Sequence, residues 1–325
     1  MPQVLTSRTL AVSSAIVCPT MTWRILDMSP IWEPLLAGLI DYAGLFPPAA
    51  LAMDQATSQY ANYRASNQHG YLARFILPYS RIAEWQASLG KQPSQPWIIS
   101  LLATDPAQLA EIPTLNQRYQ GWFVIDTVEI KAESLEQIAA IHAVIPEQVT
   151  VFVEIPHDHD PSLLIAALRS TGLRAKLRTG GIIAAAFPEP EQIVRFLHAC
   201  ISNGVAYKAT AGLHHPLRGQ YRLTYATDSA EGWMYGYLNL ILASALLQAN
   251  AAHQEVLAAL LEHDPIAIKL TEQKMRWRNW QFEHDDVLAV RHSGLIAFGS
   301  CSFEEPINEF ASFIEQPALA YGATN

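Results

Sequence analysis

Two lysines occupy matching places in consecutive strand-like runs. Leu173-Arg174-Ala175-Lys176-Leu177-Arg178-Thr179-Gly180-Gly181 holds the first, and Val205-Ala206-Tyr207-Lys208-Ala209-Thr210-Ala211-Gly212 holds the second. In each run the lysine and the Arg or Thr two residues later share one face, while the apolar residues between them take the other. A cation within a strand is costly unless it is paired or used. Two of them at neighbouring strand ends imply a site for an anionic or carbonyl-bearing small molecule. Adjacent ammonium groups lower each other's pKa, and burial adds to that shift. A partly neutral lysine is a nucleophile able to form a Schiff base with a carbonyl.

These lysines need a frame, and the chain supplies a regular one. Strand-like segments fall at 39–46, 72–78, 97–103, 122–127, 150–155, 174–178, 206–210 and 295–298. Helical patterns lie between them at 52–64, 80–89, 106–119, 134–143, 161–170 and 190–203. Asp105-Pro106, Asp160-Pro161 and Glu189-Pro190 each set an acid before a proline suited to the first helical position. Asn203-Gly204 reads as a C-cap. From the second strand to the seventh the repeat is about 23 to 32 residues, the length of a βα unit. Eight such units, with no G-x-G-x-x-G turn after the first strand, predict an α/β fold of the (β/α)8 TIM-barrel type rather than an open Rossmann sheet. Residues 31–325 form one barrel domain in this reading. An extension covers residues 1–30, and a long helical insertion, roughly 213–293, separates strands seven and eight. Its strongest helix is expected at 229–251, capped by Asp228 or Ser229 with Glu231 in the first turn. Such an insertion serves as a lid or an oligomer contact.

In a (β/α)8 barrel the active site lies at the C-terminal ends of the strands. The alternation in the fifth run turns Val151, Val153 and Ile155 toward the helices and Glu154 into the barrel. By the same logic Lys176, Arg178, Lys208 and Thr210 point inward, with Leu177, Tyr207 and Ala209 outward. The expected catalytic group is therefore Lys176, Lys208, Glu154 and Asp126, the two acids opposing the two lysines. Arg178 suits a substrate carboxylate or phosphate, joined by Thr179, Gly180, Gly181 and Thr210. Gly299, Ser300 and Ser302, in the turn before a helix start, offer backbone N–H groups to an anion. His214 and His215 follow the seventh strand and bring the one side chain that titrates near neutrality. His157-Asp158-His159-Asp160 after Glu154 has the look of a metal motif. It reads better as an exposed acidic loop leading to a helix start, so neither metal nor cofactor is expected.

The pair of lysines resembles class I aldolases of the deoxyribose-phosphate aldolase type, in which a lysine on the sixth strand forms the Schiff base, a lysine on the seventh tunes it, and an acid on an earlier strand moves protons. That resemblance implies Lys176 as nucleophile, Lys208 as its neighbour and Asp126 as acid/base. This chain departs from it at Arg178, where the family has a small residue. Separately, the segments 41–49 (DYAGLFPPA), 208–218 (KATAGLHHPLR) and 298–303 (FGSCSF) resemble a bacterial protein family of unassigned function, which implies no mechanism.

Composition closes off other classes. The chain has 325 residues, half apolar and 16% charged, enough for a large core. A net charge of −9 and a pI near 5.6 argue against nucleic acid as partner, and the Trp-bearing basic stretch at 277–280 is better read as packing. No apolar run is long enough to span a membrane. The short apolar run at 10–17 after Arg8 makes a poor secretory signal. Cys18, Cys200 and Cys301 are too far apart to form a CxxC and imply a reducing, cytoplasmic setting. The reading is thus a lyase acting on a small anionic carbonyl compound through a Schiff base. Electrostatic or metal-assisted chemistry on an enolate or phosphate, and non-catalytic ligand binding, stand as alternatives.

Overall fold

A computed structural model describes residues 29–88 and 90–320; the 1–20 tail and Cys18 lie outside the described residues. The predicted eight strands are all present: β1 (Ile40–Tyr42), β2 (Leu72–Pro78), β3 (Trp97–Leu102), β4 (Phe123–Lys131), β5 (Thr150–Glu154), β6 (Arg174–Arg178), β7 (Tyr207–Thr210) and, after the insertion, a last one at Leu295–Ser300. All neighbours pair in parallel and the sheet closes on itself, the last strand lying between β1 and β7. The fold is a (β/α)8 barrel.

Alternation is what sorts the side chains. Leu177, Tyr207 and Ala209 are fully buried in the layer between strands and helices, where the Tyr207 ring meets Phe196 edge-on and its hydroxyl bonds Ser244. The helices that back the sheet begin and end where local chemistry dictates. Ser134 Oγ accepts from the N–H of Gln137 to start Leu135–His142. Pro190–Asn203 starts on a capping box at Glu189 and stops at Gly204, whose left-handed φ of 61° suits a residue without a Cβ.

The first strand, expected over 39–46, covers only Ile40–Tyr42, and three further elements depart from the sequence-based expectation. The helix predicted over 106–119 breaks at Glu111 into Ala107–Ala110 and Ile112–Arg118. The fourth strand runs on to Lys131, well past its predicted end at Thr127. The helix predicted over 229–251 begins only at Tyr237. The residues before it form a hairpin of β8 (Gly219–Arg222) and β9 (Glu231–Met234). Gly232 and Gly236 weaken that stretch as helix. At Gly236 a Cβ would also lie 2.4 Å from the carbonyl oxygen of Pro216. Tyr237–Gln248 is then apolar on every face and is buried along most of its length. A second helix, His253–Leu261, a small antiparallel sheet of β10 (Ile268–Leu270), β11 (Met275–Trp277) and β12 (Trp280–Phe282), and a third helix, His284–Ser293, complete the insertion. Trp277 is fully buried in that sheet, as its packing role predicts. The chain then returns to the barrel as β13 (Leu295–Ser300).

Candidate active site at the barrel mouth

Register brings the two lysines together: Lys176 on β6 is the direct partner of Lys208 on β7, and Glu154 on β5 is the partner of Lys176. Between the lysines stands a residue that sequence reasoning missed, Glu129. One of its carboxylate oxygens accepts from Lys176 Nζ at 2.8 Å, and the other accepts from Lys208 Nζ. Ser100 Oγ donates to Glu129 as well, at 2.7 Å. Lys176 Nζ also donates to Glu154 at 2.8 Å, while Lys208 Nζ donates to Asp41 on β1. Two ammonium groups thus bind three carboxylates in one buried chain, Asp41–Lys208–Glu129–Lys176–Glu154. Phe152 lies beneath it, its ring centroid 5.5 Å from Lys208 Nζ.

Glu129 reaches this position through an irregularity in β4. Phe123 and Ile125 face the helix layer, and so do Val128 and Ile130, so the apolar parity switches from odd to even. The register with β3 shifts at the same place, Ile99 opposing Ile125 and Ser100 opposing Thr127. One extra residue, Asp126, is accommodated there in the manner of a β-bulge. The parity switch in Phe123-Val124-Ile125-Asp126-Thr127-Val128-Glu129-Ile130 was the readable sign. Asp126 itself is not in the lysine cluster: it takes both arms of the Arg74 guanidinium, at 2.7 and 2.8 Å. The place beside the lysines expected of Asp126 is taken by Glu129.

The electrostatics also differ from the expectation of a lowered lysine pKa. Burial does oppose the charge on Lys176, but Glu129 and Glu154 outweigh it and hold the pKa above the ordinary lysine value. Burial likewise works against Glu129, yet Lys176 and Lys208 keep its carboxyl well below the usual range. For Glu154 the burial effect is again overcome, chiefly by Lys176, with Arg178 and Lys131 adding to it. These last two cations stand 3.6 Å from Glu154 Oε1 at the more exposed edge.

Above the cluster is a cavity of about 300 Å³, at the small end of ligand pockets. Its lining includes Glu129, Lys176, Arg178, Gly181, Thr210, His214 and Gly299, with an apolar wall containing Phe46, Ile76 and Leu102. Lys208 has no exposed surface and does not line it. The other expected residues have different tasks. Thr179 Oγ1 donates to the carbonyls of Ala211, at 2.6 Å, and Thr210, at 3.2 Å. Gly180 packs under Phe187, where a Cβ would lie 2.4 Å from the ring. Ser300 Oγ lies 3.5 Å from His214 Nδ1. Ser302 Oγ accepts from the Glu305 N–H at 3.1 Å, so that hydroxyl caps its own helix.

His214 and His215 separate in role. His215 donates from Nδ1 to Glu309 at 2.8 Å and stacks on Tyr221 at 3.4 Å, while His214 lines the cavity. Among the described residues the grouping of three metal-capable donors is His215, Glu305 and Glu309. Each is already engaged, His215 with Glu309, and Glu305 with Tyr225 at 3.0 Å and His214 at 3.2 Å. The motif around His157 does not gather: His159 is exposed near Asp158, and Glu154 is held by Lys176.

No family model, curated protein or solved structure matches this chain. No helix among the described residues is long and apolar enough to cross a membrane. The class defined by fold and site is a (β/α)8 barrel with a buried lysine–carboxylate cluster beneath a small cavity at the C-terminal ends of its strands.

Proposed function

We propose that the protein is a carbon–carbon lyase that forms a Schiff base between Lys176 and a small anionic carbonyl compound. The observation that carries this reading is the position of Lys176: it is the lysine of the buried cluster that lines the cavity, and carboxylates flank it on both sides. Lys208, sealed beneath, orients and polarises Glu129. Arg178 at the rim offers a guanidinium to the substrate's carboxylate or phosphate.

The raised pKa of Lys176 means that the resting amine is charged and must lose a proton before it attacks. Glu154 supplies the means. Its basicity is held down in part by Arg178, so a substrate anion that draws Arg178 away makes Glu154 a better base. The proton passes from Lys176 to Glu154, the neutral amine adds to the carbonyl, and the hydroxyl of the adduct leaves as water with that proton. The resulting iminium takes the electron pair of the breaking carbon–carbon bond, with Glu129 beside the positive nitrogen. Anionic substrates thereby trigger their own nucleophile.

The same raised pKa supports a second reading, in which Lys176 keeps its proton and stabilises an enolate electrostatically. One experiment separates the two. The protein is treated with borohydride in the presence of pyruvate, acetone or acetaldehyde, and its peptides are analysed by mass spectrometry. A reduced adduct on Lys176 is the expected result. Exchange of the probe's α-protons with D2O and no adduct would favour the enolate reading, and neither adduct nor exchange across the panel would remove both.

A further inference from the structure

We infer that His214 is a second acid–base residue of this site, handling the proton on the oxygen of the aldehyde that leaves or enters. The assignment rests on the Schiff-base reading and concerns a step that the lysine cluster does not serve. In an aldol cleavage the hydroxyl to be deprotonated is two carbons from the imine carbon. Glu129 and Glu154 are both committed to the amine of Lys176, so the distant oxygen needs a partner on another wall.

His214 is built for that place. β7 ends at Thr210, and the next two residues, Ala211 and Gly212, both have left-handed backbones, with φ of 65° and 71°. For Ala211 this conformation is strained by roughly 1 kcal/mol, and strain of this kind concentrates at functional sites. The Thr179 hydroxyl pins its carbonyl at 2.6 Å. The turn delivers His214 to the cavity wall, where it is only 6% exposed.

The ring is then held by one nitrogen. Nδ1 faces Glu305 Oε2 at 3.2 Å, Ser300 Oγ at 3.5 Å and Cys301 Sγ at 3.9 Å. Glu305 is fixed in turn by the Tyr225 hydroxyl at 3.0 Å and by its own N–H to Ser302. A carboxylate that accepts from Nδ1 sets tautomer and orientation and leaves Nε2 for the reacting partner. No described residue hydrogen-bonds Nε2. The charged and titratable groups facing the ring are Glu305, Cys301 and, with ring centroids 6.2 Å apart, His215. Burial opposes protonation of His214, but Cys301 and Glu305 outweigh it and raise the pKa to about 9, which makes the ring an acid at neutral pH.

The step balances. In condensation the enamine carbon attacks the aldehyde carbon, the carbonyl π pair moves onto oxygen, and Nε2 gives its proton to that oxygen. The enamine becomes an iminium, and water then releases the β-hydroxy carbonyl product. In cleavage a neutral His214 takes the hydroxyl proton as the carbon–carbon bond breaks.

Two half-reactions separate this role from that of Lys176. Exchange of donor α-protons with D2O needs only the Schiff base and enamine, whereas bond formation also needs the aldehyde's acid. Pyruvate, acetone and acetaldehyde serve as donors and glycolaldehyde as acceptor, both rates being followed by NMR. In His214→Gln the ratio of bond formation to exchange should fall by ~100-fold or more, the span of general acid catalysis. In Glu305→Gln, which acts through His214, the alkaline limb of bond formation should move below pH 9. A His214→Gln ratio within ~3-fold of wild type, far short of general acid catalysis, would overturn the assignment while leaving the Schiff base intact. So would an unmoved limb in Glu305→Gln. A wild-type protein that exchanges no donor removes the Schiff-base reading and this one with it.

Discussion

Asp126 and Glu129 sit on one strand, three positions apart, and meet opposite fates. Asp126 is closed in a two-pronged pair with a single arginine, each of its oxygens taking one N–H, and a third of its side chain remains exposed. Glu129 is shared between two lysines and a serine, is 1% exposed, and belongs to a cluster in which carboxylates outnumber ammonium groups. A closed pair has nothing left to give. A shared acid beside a cavity keeps partners whose bonds can be rearranged, and the bulge at Asp126 allows one strand to carry both.

The contrast can be broken experimentally, beginning with the amine that Glu129 serves. Lys176→Met should abolish borohydride trapping and lower turnover of any accepted substrate by ~10³-fold or more, as loss of a covalent nucleophile does. Persistence of an adduct at wild-type yield would show that another amine reacts. Glu129→Gln comes next. It removes the carboxylate that the two buried ammonium groups share and leaves each with a single acid, so stability should fall by about 3 kcal/mol in chemical unfolding.

A pH series sharpens the comparison without any substitution. The folded-state carboxyls of Glu129 and Glu154 both lie below their unfolded values, so the stability they contribute is complete above the unfolded value. It is lost as pH falls through the depressed range. Unfolding free energy should therefore drop below pH ~4, and the drop should shrink in Glu129→Gln. Equal acid sensitivity in both proteins would place the linkage elsewhere. The smallest effect is expected for Asp126→Asn, a partly exposed pair worth roughly 1 kcal/mol, with substrate turnover kept within about twofold, since Asp126 touches neither lysine. A collapse of turnover in this variant would erase the distinction between the two acids.

The sequence disclosed the barrel because period-two runs alternate with helical ones, and it disclosed Lys176, Lys208, Glu154 and Arg178 because strict alternation fixes which side chain turns inward. Glu129 was hidden because it lies beyond Thr127, among Val128 and Ile130, the apolar residues that reveal the reversed parity after the bulge at Asp126. Asp41 falls within the first strand-like run, 39–46, but its bond to Lys208 depends on barrel closure, a relation between the first and last barrel strands that no local pattern encodes. The hairpin at 219–234 is obscured for the converse reason: the apolar run of Tyr237–Gln248 dominates its surroundings and masks the helix-weakening Gly232 and Gly236.

Closure also has a temporal meaning. Asp41 and Lys208 are separated by 167 positions along the chain, and β1 finds its neighbour on one side only when β13 has been made. During synthesis the first strand must wait for residues 295–300 to leave the ribosome, its acid still hydrated. Such long-range closure is slow and comes late. A polypeptide cut short before residue 295 would carry both lysines and still lack the final stave that shuts water out, so competence arrives as one of the last events of folding.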